Sequence, residues 1–289
     1  MLQASGESNS RNEPGNRAKK RKIGTMLHKI FRPIFWILFR TGFAIFGGLR
    51  TEGRENVPLT GGALITPNHV SDCDPVAVGV SMPRDAFTMA KEELFDMKMV
   101  GPIMRVLNGF PVKRYTADRN ALRFAEDRLK EGEAVIIFPE GKLSEDGKLQ
   151  PMLPGVILIA QRANVPIVPT IVFNTADLMP YGKLTPRFIK KSVIVRYGTP
   201  VTVAELKGSG KGGEALKQGA ERLFAIMQAL QEGKPYPPKP VDPPRTKRSE
   251  SEPDSSDEVE QEAKGQDSDV QESNTDGAGQ TEKADAATQ

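Results

Sequence analysis

Between residues 51 and 232 the chain alternates short apolar runs with stretches of helical periodicity. The strand-like runs are 62–66 (GALIT), 86–90 (AFTMA), 109–113 (GFPVK), 134–138 (AVIIF), 166–173 (PIVPTIVF) and 192–197 (SVIVRY). Helical spacing predicts helices over 75–82, 94–107, 117–131, 154–163 and 214–232. Strands alternating with helices imply one α/β domain, residues 51–233, built on a largely parallel central sheet flanked by helices. Ligands of such sheets bind outside the carboxyl ends of the strands. Polar residues gather there: PNHVSDCD comes after the first strand, Lys113 and Arg114 close the third, and PEGK comes after the fourth.

Upstream the pattern changes. Residues 25–49 are rich in Phe, Ile and Leu, but His28, Lys29, Arg32 and Arg40 interrupt them, leaving 33–39 and 41–49 as the longest uncharged pieces. A spanning helix needs about 20 apolar residues with few charges. The segment 23–50 therefore reads as a membrane-interfacial helix or helical hairpin, apolar face in the lipid and basic residues at the headgroups. A helix packed on the protein's own core and a true span are the alternatives. No small-residue cleavage site follows, which argues against a secretory signal. Ahead of it, residues 1–22 read as a disordered basic N-terminus carrying RAKKRK.

Past the domain, KPYPPKPVDPP opens a proline-rich linker over 234–248. Residues 249–289 hold 13 acidic and 2 basic residues and no aromatics, and read as a disordered acidic tail. The tail masks the character of the rest. Residues 1–248 carry 38 basic and 24 acidic residues, a net of +14 against +3 for the whole chain. So basic a body implies an anionic partner, a membrane surface with anionic lipids or a phosphate-bearing substrate, in preference to nucleic acid. The single cysteine, Cys73, excludes an intramolecular disulfide, and two histidines exclude a His-rich metal site.

The candidate chemistry starts at TPNHVSDCDP, residues 66–75. On a regular helix His69 and Asp74 would be separated by roughly 140° of rotation, so they meet only across a turn. Asp74 before Pro75 reads as the N-cap of the helix that begins there, leaving 68–73 as loop. An Asp so placed accepts from imidazole Nδ1 and leaves Nε2 free as a base. A plain cap beside a loop histidine is the bland alternative. Asp72 and Asp74 also resemble the aspartate pair with which some glycosyltransferases hold a divalent metal, and Cys73 has the position, without the surrounding motif, of a nucleophile.

Taken together, NHxxxxD after the first strand, GFPVKR at 109–114, FPEG at 138–141 and VPIVP at 165–169 resemble the four ordered blocks of the glycerolipid acyltransferases, the 1-acylglycerol-3-phosphate acyltransferases and their relatives. The resemblance implies His69 as general base and Asp74 as the carboxylate that orients it, with direct attack of an acceptor hydroxyl on an acyl thioester. It implies Arg114 on the acceptor phosphate and Glu140 and Gly141 in an acceptor-binding turn, with Pro166 and Pro169 in the fourth block. One departure stands out: the family's FPEG continues Thr, Arg, Ser, where this chain has Lys142, Leu143, Ser144. Lys142 is then the substitute cation, and glycerol-3-phosphate or another lysolipid competes with lysophosphatidate as acceptor.

The expectation is an enzyme of the cytoplasmic membrane face, peripheral or monotopic, making phosphatidate. It would use acyl-CoA or acyl carrier protein as donor and neither metal nor other cofactor. A non-catalytic lipid-binding scaffold and a metal-dependent glycosyltransferase using Asp72 and Asp74 are the readings from other classes.

Overall fold

The computed structural model describes residues 33–113, 118–183, 185–208 and 210–236, all inside the first of two compact units, Met1–Asp242. The basic N-terminus, Arg114, most of the proline-rich linker and the acidic tail lie outside the described residues.

In chain order the elements are helix α1 (33–46), β1 (Leu49–Glu52), β2 (Ala63–Pro67), α2 (Asp74–Ser81), β3 (Ala86–Lys91), α3 (Val100–Val106), β4 (Gly109–Val112), α4 (Arg119–Lys130) and β5 (Ala134–Ile136). After these come α5 (Gly155–Ala163), β6 (Ile167–Phe173), α6 (Thr175–Leu178), β7 (Val193–Tyr197), α7 (Val203–Leu206) and α8 (Gly212–Glu232). Seven strands form one sheet in the order β1-β7-β6-β2-β5-β3-β4. The five from β6 to β4 run parallel; β7 pairs antiparallel with β6, and β1 runs parallel to β7. The largely parallel α/β domain is as expected.

The near-continuous apolar character of the central strands arises from cover on both faces. Leu64, Val135, Ile167 and Ile171 pack to one side against Leu129 of α4, Ile157 of α5 and Leu223 and Ile226 of α8. Alternate positions, Ala63, Ile65, Ile136, Val168 and Val172, pack to the other against Val76, Ala77 and Val80 of α2 and Phe43 of α1. Each fully buried Leu, Ile or Val contributes about 1.5–3 kcal/mol relative to exposure. Helix α1 thus gives one face to the core, with Trp36, Phe39 and Phe46 around Phe43. Its other face leaves Ile34, Ile37, Leu38 and Ile45 in solvent at 59–65 % exposure. No described helix is long and apolar enough to cross a membrane.

At the amino edge of the sheet Arg84 donates to the carbonyls of Pro58 (3.0 Å), Gly61 (2.8 Å) and Gly132 (2.6 Å). The loops entering β2 and β5 are so tied together, and these two strands carry the main polar turns to the opposite edge.

Three local expectations are corrected. The helix anticipated over 94–107 is a 3-10 turn, Glu92–Phe95, with α3 starting later, at Val100. Pro102 explains the break, since in a helix running from 94 its ring would meet the carbonyl of Lys98, whereas in the first turn of α3 it is tolerated. Helix α2 begins at Asp74 itself, with Cys73 as N-cap, so Asp74 is not the cap. Third, β1, α6 and α7 lie outside the segments that periodicity marks as strand or helix.

Candidate active site

Strand β2 delivers its chain to the carboxyl edge of the sheet at Pro67, and Asn68 fixes the direction in which the backbone leaves it. The Asn68 amide Oδ1 accepts from Val172 N–H (2.7 Å) and its Nδ2 donates to the Val172 carbonyl (3.3 Å). The side chain thereby continues the β2–β6 ladder for one more position while the backbone turns away. The motif NHxxxxD includes Asn68 but assigns it no role; its place directly before His69 was the available signal.

The turn 69–73 then folds around one carboxylate oxygen. Asp74 Oδ2 accepts from His69 Nδ1 (3.0 Å), Val70 N–H (2.7 Å) and Ser71 N–H (2.8 Å). Asp74 is fully buried, and its Oδ1 has no partner among the described residues. Two backbone donors and the first turn of α2 compensate this buried charge. With Nδ1 engaged as donor, the imidazole presents Nε2 as its acceptor nitrogen. The ring lies on Phe138, centroids 4.1 Å apart and planes at 30°, and its side chain keeps 11 % of its surface accessible.

Strand β5 lies beside β2 and brings the FPEG turn against the same histidine. His69 N–H donates to Glu140 Oε1 (3.0 Å), and the His69 carbonyl accepts from Ser144 N–H (2.7 Å). The backbone of His69 is held on both sides by residues about 70 positions downstream. Gly141 makes this turn possible: its φ is +71°, and a Cβ there would sit 2.5 Å from Leu153 Cδ1. Glu140, given to an acceptor-binding turn by resemblance, has its carboxylate at the His69 backbone.

Burial pushes the Glu140 carboxyl up to about 7, with the nearby Asp74 and Asp146 carboxylates adding to it, and its Oε2 has no partner among the described residues. The folded protein then holds a proton that the unfolded chain, with the ordinary value of 4.5, releases. Stability contributed by this group therefore falls as pH rises from about 4.5 to about 7 and is level beyond. Glu140→Gln keeps an acceptor for His69 N–H and abolishes this ionisation. Urea denaturation at about pH 5 and about pH 8 is expected to show the variant gaining roughly 3 kcal/mol on the wild type across that interval; a constant difference would disprove the shift.

The cations are more spread. Lys142 is exposed beside the FPEG turn, and Leu143 is half-buried. Lys113 comes directly after β4 and lies 4.0 Å from Glu92; its backbone N–H donates to Asp118 (2.9 Å), which also caps α4. Asp118 so joins the two ends of the segment holding Arg114, which is itself outside the described residues. The strand leading to that segment, β4, lies three strand spacings, about 14 Å, from β2. Lys91, at the end of β3 and one strand nearer to His69, joins the same edge.

The alternative chemistries fare less well on geometry. Cys73 is buried and its thiol is pushed up to about 12, by burial first and by Asp74 next, so it supplies no thiolate. Asp72 is exposed, while Asp74 is committed to His69 and two amides. The two aspartates thus stand in different settings, one in solvent and one buried.

Residues 48–172 match the profile of the Acyltransferase family. The chain is 36 % identical over 186 residues to a 1-acyl-sn-glycerol-3-phosphate acyltransferase of Bacillus subtilis, covering 64 % of this chain and 85 % of the relative. It is 30 % identical over 134 residues to a chloroplastic 1-acyl-sn-glycerol-3-phosphate acyltransferase of Brassica napus, spanning 45 % of this chain and 39 % of that protein's length. The crystal structure of the 1-acyl-sn-glycerophosphate (LPA) acyltransferase of Thermotoga maritima superposes with a TM-score of 0.56 at 27 % identity, over 74 % of this chain and 82 % of that one.

Proposed function

The chain belongs to the 1-acyl-sn-glycerol-3-phosphate acyltransferase family, and on that premise we propose that it esterifies the free hydroxyl of lysophosphatidate with a fatty acyl group, forming phosphatidate. One observation carries the chemistry: a buried carboxylate, held by two amides, grips His69 Nδ1 and leaves Nε2 as the base. Nε2 takes the acceptor's hydroxyl proton as the oxygen attacks the thioester carbonyl. The C–S bond then breaks and the thiolate leaves with that proton, yielding ester and free thiol without an acyl-enzyme. Asp74 steadies the imidazolium formed in between.

The acceptor's phosphate fits the cationic carboxyl edge, with Arg114 and Lys142 as its principal contacts and Lys91 a further one. Leu143 removes one arginine that the family uses, which shifts the load to these groups. Between α1, α2 and α3 lies a small cavity of about 30 Å³, lined by Trp36, Val80, Leu107 and Ile136 together with the polar Arg84 and Asn108, which an acyl chain would enter only if the helices parted. Gly79 on its wall lies five residues, about 7.5 Å, along α2 from Asp74. A Cβ at Gly79 would stand 2.6 Å from Leu107 Cδ2, so the glycine keeps α2 and α3 close. The exposed apolar face of α1 would rest in the cytoplasmic leaflet as a peripheral or monotopic contact, bringing the site to the lipid acceptor.

The test is a panel of acceptors with the purified full chain, acyl-CoA and acyl carrier protein donors in parallel, and mass spectrometry of the products. Phosphatidate from lysophosphatidate is expected to dominate. Faster acylation of glycerol-3-phosphate or of a neutral lysolipid would move the assignment to that acceptor, and no acylation with either donor would favour the scaffold reading.

A further inference from the structure

The segment between α6 and β7 forms a bridge from the catalytic turn to α1. At one end Ser71 Oγ, two residues from His69, donates to the Met179 carbonyl (2.7 Å). Arg187 N–H then closes the excursion onto the Leu178 carbonyl (2.7 Å). At the other end Ile189 N–H donates to the Phe46 carbonyl at the end of α1 (3.0 Å), and the Phe188 ring lies 4.7 Å from that of Phe46.

The surface this bridge shows to solvent is uncommon for a loop. Phe188 is 75 % exposed and Tyr181 55 % exposed. Lys183, Arg187, Lys190 and Lys191 are exposed around them, and no Asp or Glu occurs anywhere in residues 178–196. Phe188 adjoins the end of the helix whose Ile34, Ile37, Leu38 and Ile45 are already in solvent, so its ring extends that apolar face, and the exposed Arg187, Lys190 and Lys191 are its near neighbours in the chain. Exposed aromatic rings edged by lysine and arginine fit the interface of an anionic bilayer, rings at the headgroup level and charges on the phosphates.

We infer that the surface carrying Tyr181, Lys183, Arg187, Phe188, Lys190 and Lys191 is a second membrane contact, selective for anionic lipid, which together with α1 sets the catalytic turn at a fixed height above the bilayer. The inference rests on the reading of this protein as a membrane-associated acyltransferase. Continuity with the apolar stripe favours lipid over the other acidic surface available, that of an acyl carrier protein.

The experiment is vesicle partitioning of the full chain on phosphatidylcholine alone and on phosphatidylcholine with phosphatidylglycerol. The Arg187→Gln/Lys190→Gln/Lys191→Gln variant is expected to lose about 100-fold in partitioning to the anionic vesicles and to match the wild type on the neutral ones. Phe188→Ala should lose about tenfold on both. All four positions are exposed, so melting temperatures within a few degrees of the wild type are expected, Phe188→Ala losing only its ring contact with Phe46, as is activity within about twofold on a water-soluble short-chain lysophosphatidate. Wild-type binding to vesicles with no effect of either variant overturns the inference while leaving the membrane reading intact. Absence of wild-type binding to either vesicle overturns both. Full vesicle binding by the variants with a raised KM for acyl carrier protein donor alone would assign the surface to that protein instead.

Discussion

His69→Ala is expected to lower kcat for acyl transfer by about 10² to 10⁴, the range a positioned general base supplies, with donor affinity unchanged. The loss falls on chemistry because the residue's structural contribution is separable from its ring. Backbone atoms make the contacts to Glu140 and Ser144, and alanine retains them. Lost are the stacking on Phe138 and one of three donors to Asp74. That amounts to about 1 kcal/mol and a fall in Tm of only a few degrees. Steady-state kinetics beside thermal melts on the same preparation make the check. Equal turnover by variant and wild type would falsify His69 as the base, and equal vesicle binding by the two is what both the enzyme and the scaffold readings require.

Asp74→Asn is expected to cost about 10³ in kcat with a smaller loss of stability than Asp74→Ala. Asparagine's oxygen can replace Oδ2 as acceptor for Val70 and Ser71 N–H, so the turn survives. The negative charge opposite the imidazolium that forms as the proton arrives is gone. Alanine instead leaves two buried N–H groups without acceptors, each costing about 1–3 kcal/mol. Denaturant titrations should therefore rank wild type above Asn above Ala, while both variants are nearly inactive. An Asn variant as active as wild type would show that Asp74 serves only to shape the turn.

Much of this architecture is written in the pattern of the chain, and the exceptions have physical causes. The central strands announce themselves because both faces are covered and nearly every position is apolar, as in IVPTIVF. Strand β1, LRTE, is half-exposed at the sheet's edge and carries more charged than apolar side chains as a result. Helix α7 is four residues long, too short for periodicity, yet its capping box at Thr202 and Glu205 was readable. At the site, spacing alone required His69 and Asp74 to meet across a turn. It did not reveal that Asp74 also organises the turn's backbone, since amide donors leave no trace in residue identity. Asn68 and the backbone role of Glu140 escaped for the same reason: each acts on main-chain groups of a strand neighbour, and only the strand order shows which neighbour that is.

The position of β2 has a consequence during synthesis. Ala63 pairs opposite Ala134 and Leu64 opposite Ile167, so the strand that carries the catalytic turn is flanked on both sides by partners made long afterwards. At about 5–20 residues per second on the ribosome, some 100 residues take roughly 5–20 s to emerge. Until β5 is made ALITP, buried at every position in the finished sheet, has both hydrogen-bonding edges exposed, and one edge stays open until β6 follows. Nascent chains of this enzyme thus offer chaperones a defined apolar target, and a chain that stops short of β5 lacks the Phe138 and Glu140 that pack on its own histidine.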